Sequence, residues 1–125
     1  AAVAFEGTYL YDSSTYVTGA ATVVFKLPGI DAAGDPLGGV YDYAIIGANL
    51  SQTNRLELIV DSPDPSSVRP ERRLLLTDKL TSINFIYDNA DPVFARKVDY
   101  EINVTDVGRT PASEQIFGSA TLRNK

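Results

Sequence analysis

The sequence predicts one domain of mainly β structure, an antiparallel sheet of about seven strands. Apolar residues recur at every second position in several stretches, as they do when one face of a strand is buried and the other is in water. Short segments rich in Gly, Pro, Asp and Asn separate these stretches, and such residues form tight turns. With 125 residues, of which 44% are hydrophobic and 22% charged, the chain has the size and composition of a single globular domain.

Seven segments have the pattern of strands, and each is rich in branched or aromatic residues. In chain order they are residues 22–27, 41–45, 56–60, 72–76, 82–87, 98–105 and 115–123. The sixth is the clearest, since the apolar residues from Val98 to Val104 alternate with polar ones. In the second, Tyr41 and Tyr43 share a face opposite Asp42. This alternation predicts antiparallel strands with one buried face and one wet face.

The remaining segments are interpreted as loops, with one exception near the start. Residues 34–39 read as a hairpin loop, because this glycine-rich run contains Pro36 and leads into a strand, where a phosphate-binding loop would lead into a helix. Only residues 1–12 could form a helix, and Gly7 limits it to a short one. No stretch resembles an interdomain linker, so residues 1–125 are treated as one domain.

The composition excludes most catalytic chemistry. The chain contains no His and no Cys, so it lacks the commonest general base, the commonest metal ligand and the thiol nucleophile. Its formal net charge is −5, whereas nucleic-acid binding depends on clustered Lys and Arg. We therefore predict a protein that is not an enzyme, holds no cofactor and does not bind nucleic acid.

Acidic residues offer two candidate sites, each with a simpler explanation. Asp99 and Glu101 lie on one side of a predicted strand, about 6 to 7 Å apart, a spacing compatible with the paired carboxylates of a glycosidase. A solvated pair explains them better, because an alternating strand has a wet face. Asp88 and Asp91 are weak candidates for a structural calcium site, but Asp is also an ordinary turn residue. No metal site is therefore predicted.

The candidate contact surface is the Pro-bearing loop of residues 62–73. In this loop Val68 and the arginines Arg69, Arg72 and Arg73 could meet an acidic partner. Carboxylates nearby in the sequence also allow a solvated loop with local ion pairs, which is the simpler explanation.

Tyrosines near the start raise an alternative function. Exposed rings at Tyr9, Tyr11 and Tyr16 would form a platform for stacking carbohydrate, and a secreted β-sandwich binding module fits the strand count and turn spacing. Aromatic residues are also good strand formers that fill cores. Core use explains the aromatic residues better, and the secreted binding module is kept as the alternative function.

Three motifs occur in a fixed order over residues 22–125. They are Leu27-Pro28 followed by Tyr41-Asp42-Tyr43, then Ser66-Ser67-Val68-Arg69-Pro70 followed by the strand-like residues 76–87, and finally the closing Leu122-Arg123-Asn124. Taken in this order, the chain resembles the C-terminal part of prepilin-type proteins. The resemblance is greatest to the W-type minor pilins of type IV pili and the J-type pseudopilins of type II secretion.

The resemblance implies a pilin-like fold and a structural function without catalytic residues. Such subunits are cleaved and methylated at the start of a long apolar helix, which anchors them in the inner membrane and later lies in the filament core. The chain has neither that helix nor any Met, so we expect the helix to be missing and residues 1–15 to hold its junction with the head. The implied partners are other minor pilins or pseudopilins, the major filament subunit and the inner membrane, in a bacterial cell envelope or surface filament.

Overall fold

The computed structural model describes residues 2–106 and 112–122. This part of the chain is mainly β, as the alternation predicted, with ten strands and one short 3-10 helix. The strands are β1 (Ala4–Phe5), β2 (Thr8–Tyr11), β3 (Ser14–Val17), β4 (Thr22–Ile30), β5 (Pro36–Ala48), β6 (Leu56–Asp61), β7 (Arg72–Thr77), β8 (Leu80–Tyr87), β9 (Lys97–Asp106) and β10 (Ala112–Thr121), and the 3-10 helix spans Pro92–Phe94. Within the described residues, no helix is long and apolar enough to cross a membrane.

All seven predicted strands are present, as β4 to β10. The short helix considered for residues 1–12 is wrong, because β1 and β2 occupy this segment. β2 and β3 form a hairpin whose turn residues, Asp12 and Ser13, have φ angles of 49° and 64°. Turns of this kind usually carry Asn-Gly or Asp-Gly, so this one has no recognisable signal. The predicted end of the last strand, Arg123, lies outside the described residues.

The strands form three antiparallel sheets. The order is β1-β4-β5-β6-β7 in the largest, β10-β9-β8 in the second, and β2-β3 in the two-stranded hairpin. The hairpin packs on one face of the five-stranded sheet, which we name the hairpin face and which includes Ile45 and Ile59. The three-stranded sheet packs on the other, the groove face, which includes Val23 and Ile46. The molecule therefore has three layers, with the largest sheet in the middle.

The core under the hairpin is closed by the chain itself. Ile45 and Ile59 are at most 2% exposed, and Tyr16 from β3 packs on them with 8% of its surface exposed. The rings of Tyr9 and Tyr43 stack with their centroids 4.3 Å apart. Because each fully buried aliphatic side chain contributes roughly 1.5–3 kcal/mol, this face is a major source of stability.

The second core lies between the two larger sheets. Its buried members are Phe5, Val23, Phe85, Ala95 and Val98. β8 crosses one end of the five-stranded sheet, since Leu80 N donates to Asn54 O just before β6 (2.9 Å) and Phe85 N donates to Ala20 O just before β4 (2.8 Å). The smaller sheet is thus attached along one end of the larger one.

The hairpin between β4 and β5 is irregular. Its loop is residues 31–35, so most of the run 34–39 that was predicted as a loop belongs to β5. Gly39, with a φ of 73°, lies where the pairing changes from Pro28–Tyr41 to Ile30–Pro36. This change in register leaves Ile30 free to bond with a different part of the chain.

Candidate interaction site

The groove face of the five-stranded sheet is a continuous apolar surface. The strand register aligns Val23, Ile46, Leu58 and Leu74 in one row across four strands. The next row is Phe25, Ala44, Val60 and Arg72, and a third holds Leu27 beside Asp42. In these three rows of the described sheet, Arg72 and Asp42 are the only polar residues, and both lie at the end remote from β8.

The three-stranded sheet leaves much of this surface uncovered. Val23 is 1% exposed, whereas Leu58 and Val60 are half-buried and Leu74 is 38% exposed. Between the two sheets an apolar groove of about 240 Å³ stays open. It is lined by Val23, Phe25, Ile46, Leu56, Leu76, Phe85, Val98, Tyr100, Ile102 and Ala120. Contiguous apolar surface of this kind marks an interaction site.

Both edges that flank the groove also carry exposed apolar side chains. On β7, Leu74 and Leu76 are on the groove face and are 38% and 49% exposed. On β10, Ile116 is 46% exposed and pairs with Ile102, which lines the groove. An edge strand with such side chains and an unpaired backbone is a place where other chains attach. The groove face is therefore apolar at its borders as well as at its centre.

A buried ion pair fixes the loop of residues 62–71 to the far end of this face. Asp42 is 0% exposed, and its Oδ2 accepts hydrogen bonds from Arg69 Nε (2.7 Å) and Ser67 Oγ (2.8 Å). Its Oδ1 has no hydrogen-bond partner among the described residues. Arg69 Nη2 also donates to Pro28 O at 2.8 Å. Since loss of either partner would leave a charge buried without compensation, the pair holds loop and sheet together.

This cluster unites the segments that carry the family resemblance. Ser67 Oγ accepts a hydrogen bond from Ile30 N (3.1 Å), and Val68 N donates to Ile30 O (2.9 Å). The Ser-Ser-x-Arg-Pro segment is therefore joined to the end of the Leu-Pro strand, and its arginine meets the aspartate of the Tyr-Asp-Tyr strand. One cluster therefore joins three short segments from the first two motifs, while the closing Arg123-Asn124 lies outside the described residues.

The four predicted contact residues do not share one surface. Val68 is 54% exposed, whereas Arg69 is engaged by Asp42. Arg72 and Arg73 are neighbours in β7 and point to opposite faces, because side chains alternate along a strand. Arg72 lies on the groove face and Arg73 on the hairpin face. Only Arg69 and Arg72 are brought together.

Arg69 and Arg72 line a second groove, of about 560 Å³. Its other lining residues are Leu27, Val60, Pro70 and Glu71. Val60 and Arg72 stand in the same row as Phe25, which lines the apolar groove. The two grooves are therefore neighbours on one surface, which is apolar along most of its length and carries charged residues at one end.

The hairpin face has a polar cluster that is satisfied within the fold. Glu57 is 8% exposed and accepts hydrogen bonds from Arg73 Nη2 (3.0 Å) and Asn49 Nδ2 (2.9 Å). Burial acts to raise the pKa of Glu57, but the hydrogen bonds from Arg73 and Asn49 outweigh it and leave the pKa below its ordinary value of 4.5. Glu57 is therefore charged at neutral pH, with its bonding capacity used internally.

Two tyrosine hydroxyls anchor elements to each other. Tyr9 donates a hydrogen bond to Asp61 Oδ2, which joins the hairpin to β6. Burial, and then this bond, raise the pKa of Tyr9 far above its ordinary value of 10.0. Burial also raises the pKa of Tyr87, whose hydroxyl donates to Gly19 O at 2.9 Å. Both rings are neutral structural groups over the physiological pH range.

The weak calcium candidates have local structural uses. Asp88 Oδ1 accepts a hydrogen bond from Arg96 N (2.9 Å), and Asp91 Oδ1 accepts one from Val93 N (3.1 Å) at the start of the 3-10 helix. Within the described residues, no group of three or more His, Cys, Asp or Glu side chains is placed to hold a metal ion.

The residues considered for carbohydrate chemistry also make contacts within the fold. Asp99 is 3.5 Å from Lys97 Nζ, and Glu101 accepts a hydrogen bond from Gln115, on the outer side of the three-stranded sheet. The exposed tyrosine row that the sequence allowed is not formed, because Tyr16 is buried and Tyr9 and Tyr11 pack with it against the hairpin face.

Sequence reasoning missed Asp42 and the groove face. Alternation in β5 places Asp42 on the wet side, opposite Tyr41 and Tyr43. It is nevertheless wholly buried, because the loop of residues 62–71 covers it with Ser67 and Arg69. The sequence did contain a signal that both faces of β5 are buried, since Ala44, Ile45 and Ile46 are consecutive apolar residues in this strand.

The fold defines the class of the molecule as a three-layer antiparallel β domain with an incompletely covered apolar sheet face. No protein-family model, curated protein or solved structure matches the chain. Its function is therefore argued from the site and from the motifs in its sequence.

Proposed function

We propose that the chain is the globular head of a pilin-like subunit, either a minor pilin of a type IV pilus or a pseudopilin of a type II secretion system. The half-covered groove face carries this proposal, because a long apolar helix preceding Ala1 would cover such a surface. The order of the sequence motifs supports the same assignment. The role is structural, so no residue is assigned to catalysis.

The path of the first residues fits such a helix. Val3 N donates to Lys26 O at 2.9 Å, and Phe5 pairs with Phe25. The chain therefore enters along β4, the strand that presents Phe25 and Leu27 on the groove face. A helix that arrives at this edge can lie on the face without a long connecting segment.

Burial of the groove face would drive the docking of the helix. Moving a half-exposed Leu or Val into contact contributes about 1 kcal/mol, and several such residues line the face. The head would then lie outside the filament core, where Phe94 and Phe117, 71% and 67% exposed, are available to neighbouring subunits. The proposed partners are other minor subunits, the major subunit and, through the helix, the inner membrane of a bacterial envelope.

The decisive experiment is the intact mass and N-terminal peptide map of the native protein from the envelope of its source cell. We expect about twenty or more apolar residues before Ala1, beginning with a methylated residue. A native protein that starts near Ala1 after an ordinary signal peptide would overturn the proposal and leave the secreted binding module as the alternative.

Two neighbouring variants test the groove face itself in the source cell. Leu74→Glu places a charge on the groove face, and Leu75→Glu places the same charge on the hairpin face of the same strand. Both residues are exposed, so both variants should fold. We expect Leu74→Glu to abolish incorporation into filaments and Leu75→Glu to retain it; equal effects would count against docking on the groove face.

A further inference from the structure

The charged end of the groove face has a chemistry that the docking of an apolar segment does not explain. Arg69 is neutralised by Asp42 at 2.7 Å. Arg72 is exposed and forms no side-chain ion pair or hydrogen bond within the described part of the chain. It projects from the groove face beside Val60, at the end of the apolar rows.

The nearest carboxylate in the chain does not balance Arg72 on this face. Glu71 precedes it, and its Oε1 accepts a hydrogen bond from Ser62 N at 3.3 Å. The charge of Glu71 also contributes to the raised pKa of Tyr9, which packs on the hairpin face. Glu71 also lines the second groove together with Arg72, but no ion pair joins the two side chains within the described residues. Arg72 therefore has no bonded counter-charge at the end of the apolar surface.

We infer that the segment covering the groove face is apolar and carries one Asp or Glu that pairs with Arg72. This inference rests on the proposed function, because it takes the groove face as the docking surface of another segment. Along β6, the side chains of Leu56 and Val60 are about 13 Å apart by strand rise, or between two and three turns of a helix. In a helical covering segment, we therefore expect the carboxylate two to three helical turns away from the residue that enters the apolar groove near Leu56.

The ion pair with Arg72 would determine the direction in which the covering segment lies, as well as its affinity for the groove face. An apolar segment can lie on an apolar face in either of two orientations, and only one of them brings its carboxylate to Arg72. In the opposite orientation the carboxylate would lie against the apolar groove near Leu56, where burial of an unpaired charge is strongly unfavourable. A single arginine is thus sufficient to choose between the orientations.

Amphiphiles with one tail and different head groups test this chemistry on the chain alone. Decanoate, 1-decanol and decyltrimethylammonium are titrated into labelled protein, and the affinities are measured from NMR shifts of groove-face residues. We expect decanoate to bind about three- to fivefold more tightly than the other two. Arg72→Gln should remove this advantage and leave 1-decanol binding unchanged, while Lys97→Gln, the same charge change on a different sheet, should preserve it.

The outcomes separate the two proposals. If all three amphiphiles bind the groove face equally, or if Arg72→Gln has no effect on decanoate, the acidic partner is overturned while the apolar docking surface stands. If decanoate binds elsewhere, the inference also fails. The filament assignment is tested independently, by the N-terminal peptide map of the native protein.

Discussion

The two faces of the five-stranded sheet differ in how far the chain completes them. On the hairpin face, Ile45 and Ile59 are covered by β2 and β3, and the charged Glu57 is bonded to Arg73 and Asn49. On the groove face, the equivalent apolar rows are covered at one end only, and Leu74 remains 38% exposed.

This difference assigns a role to each face. A face that the chain seals with its own residues contributes chiefly to stability. A face of similar composition that stays partly open contributes less to the isolated fold and has apolar surface available for another segment. Mutations on the two sides of one strand should therefore separate stability from assembly.

The largest expected effect comes from the ion pair at the end of the groove face. Arg69→Ala should lower the free energy of unfolding by about 3–5 kcal/mol, because Asp42 would stay buried without its partner. Urea denaturation measures this change. Arg72→Ala, an exposed arginine on the same face, is the matched control and should change stability by about 0.5 kcal/mol or less. A loss below about 1 kcal/mol in Arg69→Ala would mean that Asp42 finds another partner.

The next largest effect on the free energy of unfolding is expected from two neighbouring residues of β6 that point to opposite faces. Ile59→Ala should cost about 2–5 kcal/mol, as expected for a fully buried aliphatic residue. Leu58→Ala should cost about half as much in the isolated chain, since Leu58 is already half-exposed. The same urea denaturation compares both variants, and equal losses would contradict the difference between the faces.

A smaller effect concerns Glu57 at acid pH. Glu57→Gln should cost about 1–3 kcal/mol at pH 7, because the charged hydrogen bonds of the cluster are weakened. The pKa of Glu57 is below its ordinary value of 4.5 in the folded protein. Its stabilisation is therefore complete above that value and is lost as the pH falls through the folded pKa.

Thermal denaturation between pH 7 and pH 3 should show this loss in the wild type and a flatter profile in Glu57→Gln. Asp99→Asn, which changes an exposed carboxylate on a different sheet, should leave the acid limb of the profile unchanged. A Glu57→Gln profile parallel to the wild type would mean that other carboxylates control acid stability.

The smallest effect is that of Tyr9. Tyr9→Phe removes the hydrogen bond to Asp61 and should cost about 1 kcal/mol at pH 7. The pKa of Tyr9 is raised above 10.0 in the folded state, so its contribution is complete below pH 10 and is lost as the pH rises beyond it, where the unfolded chain ionises. Denaturation from pH 8 to pH 11 should show a shallower alkaline decline in Tyr9→Phe than in the wild type; an unchanged slope would contradict this account.

The strands were predictable from the sequence where the apolar pattern is long. β9 alternates over its whole length and was identified closely, whereas β1 has only two residues and cannot show a period. The hairpin of β2 and β3 was missed because Asp12 and Ser13 adopt positive φ angles without a glycine.

The site was less predictable, because it depends on how the sheets pack. Asp42 and Arg69 are 27 residues apart, and no local pattern reveals that they pair. The alternation of Leu56 and Leu58 indicates a buried face in β6. Whether that face is covered depends on the position of the three-stranded sheet, which periodicity does not specify.

The order of the strands has a consequence for folding kinetics. In the described residues, β4 to β7 form one series of consecutive hairpins and β8 to β10 form another. Isolated hairpins form in about 1–10 μs, so both series can assemble locally before they meet. β1 pairs with β4 across the intervening hairpin and depends on contacts more distant in sequence. We therefore expect the two series to form early, and the pairing of β1 with β4 and the docking of the second sheet on the groove face to complete folding.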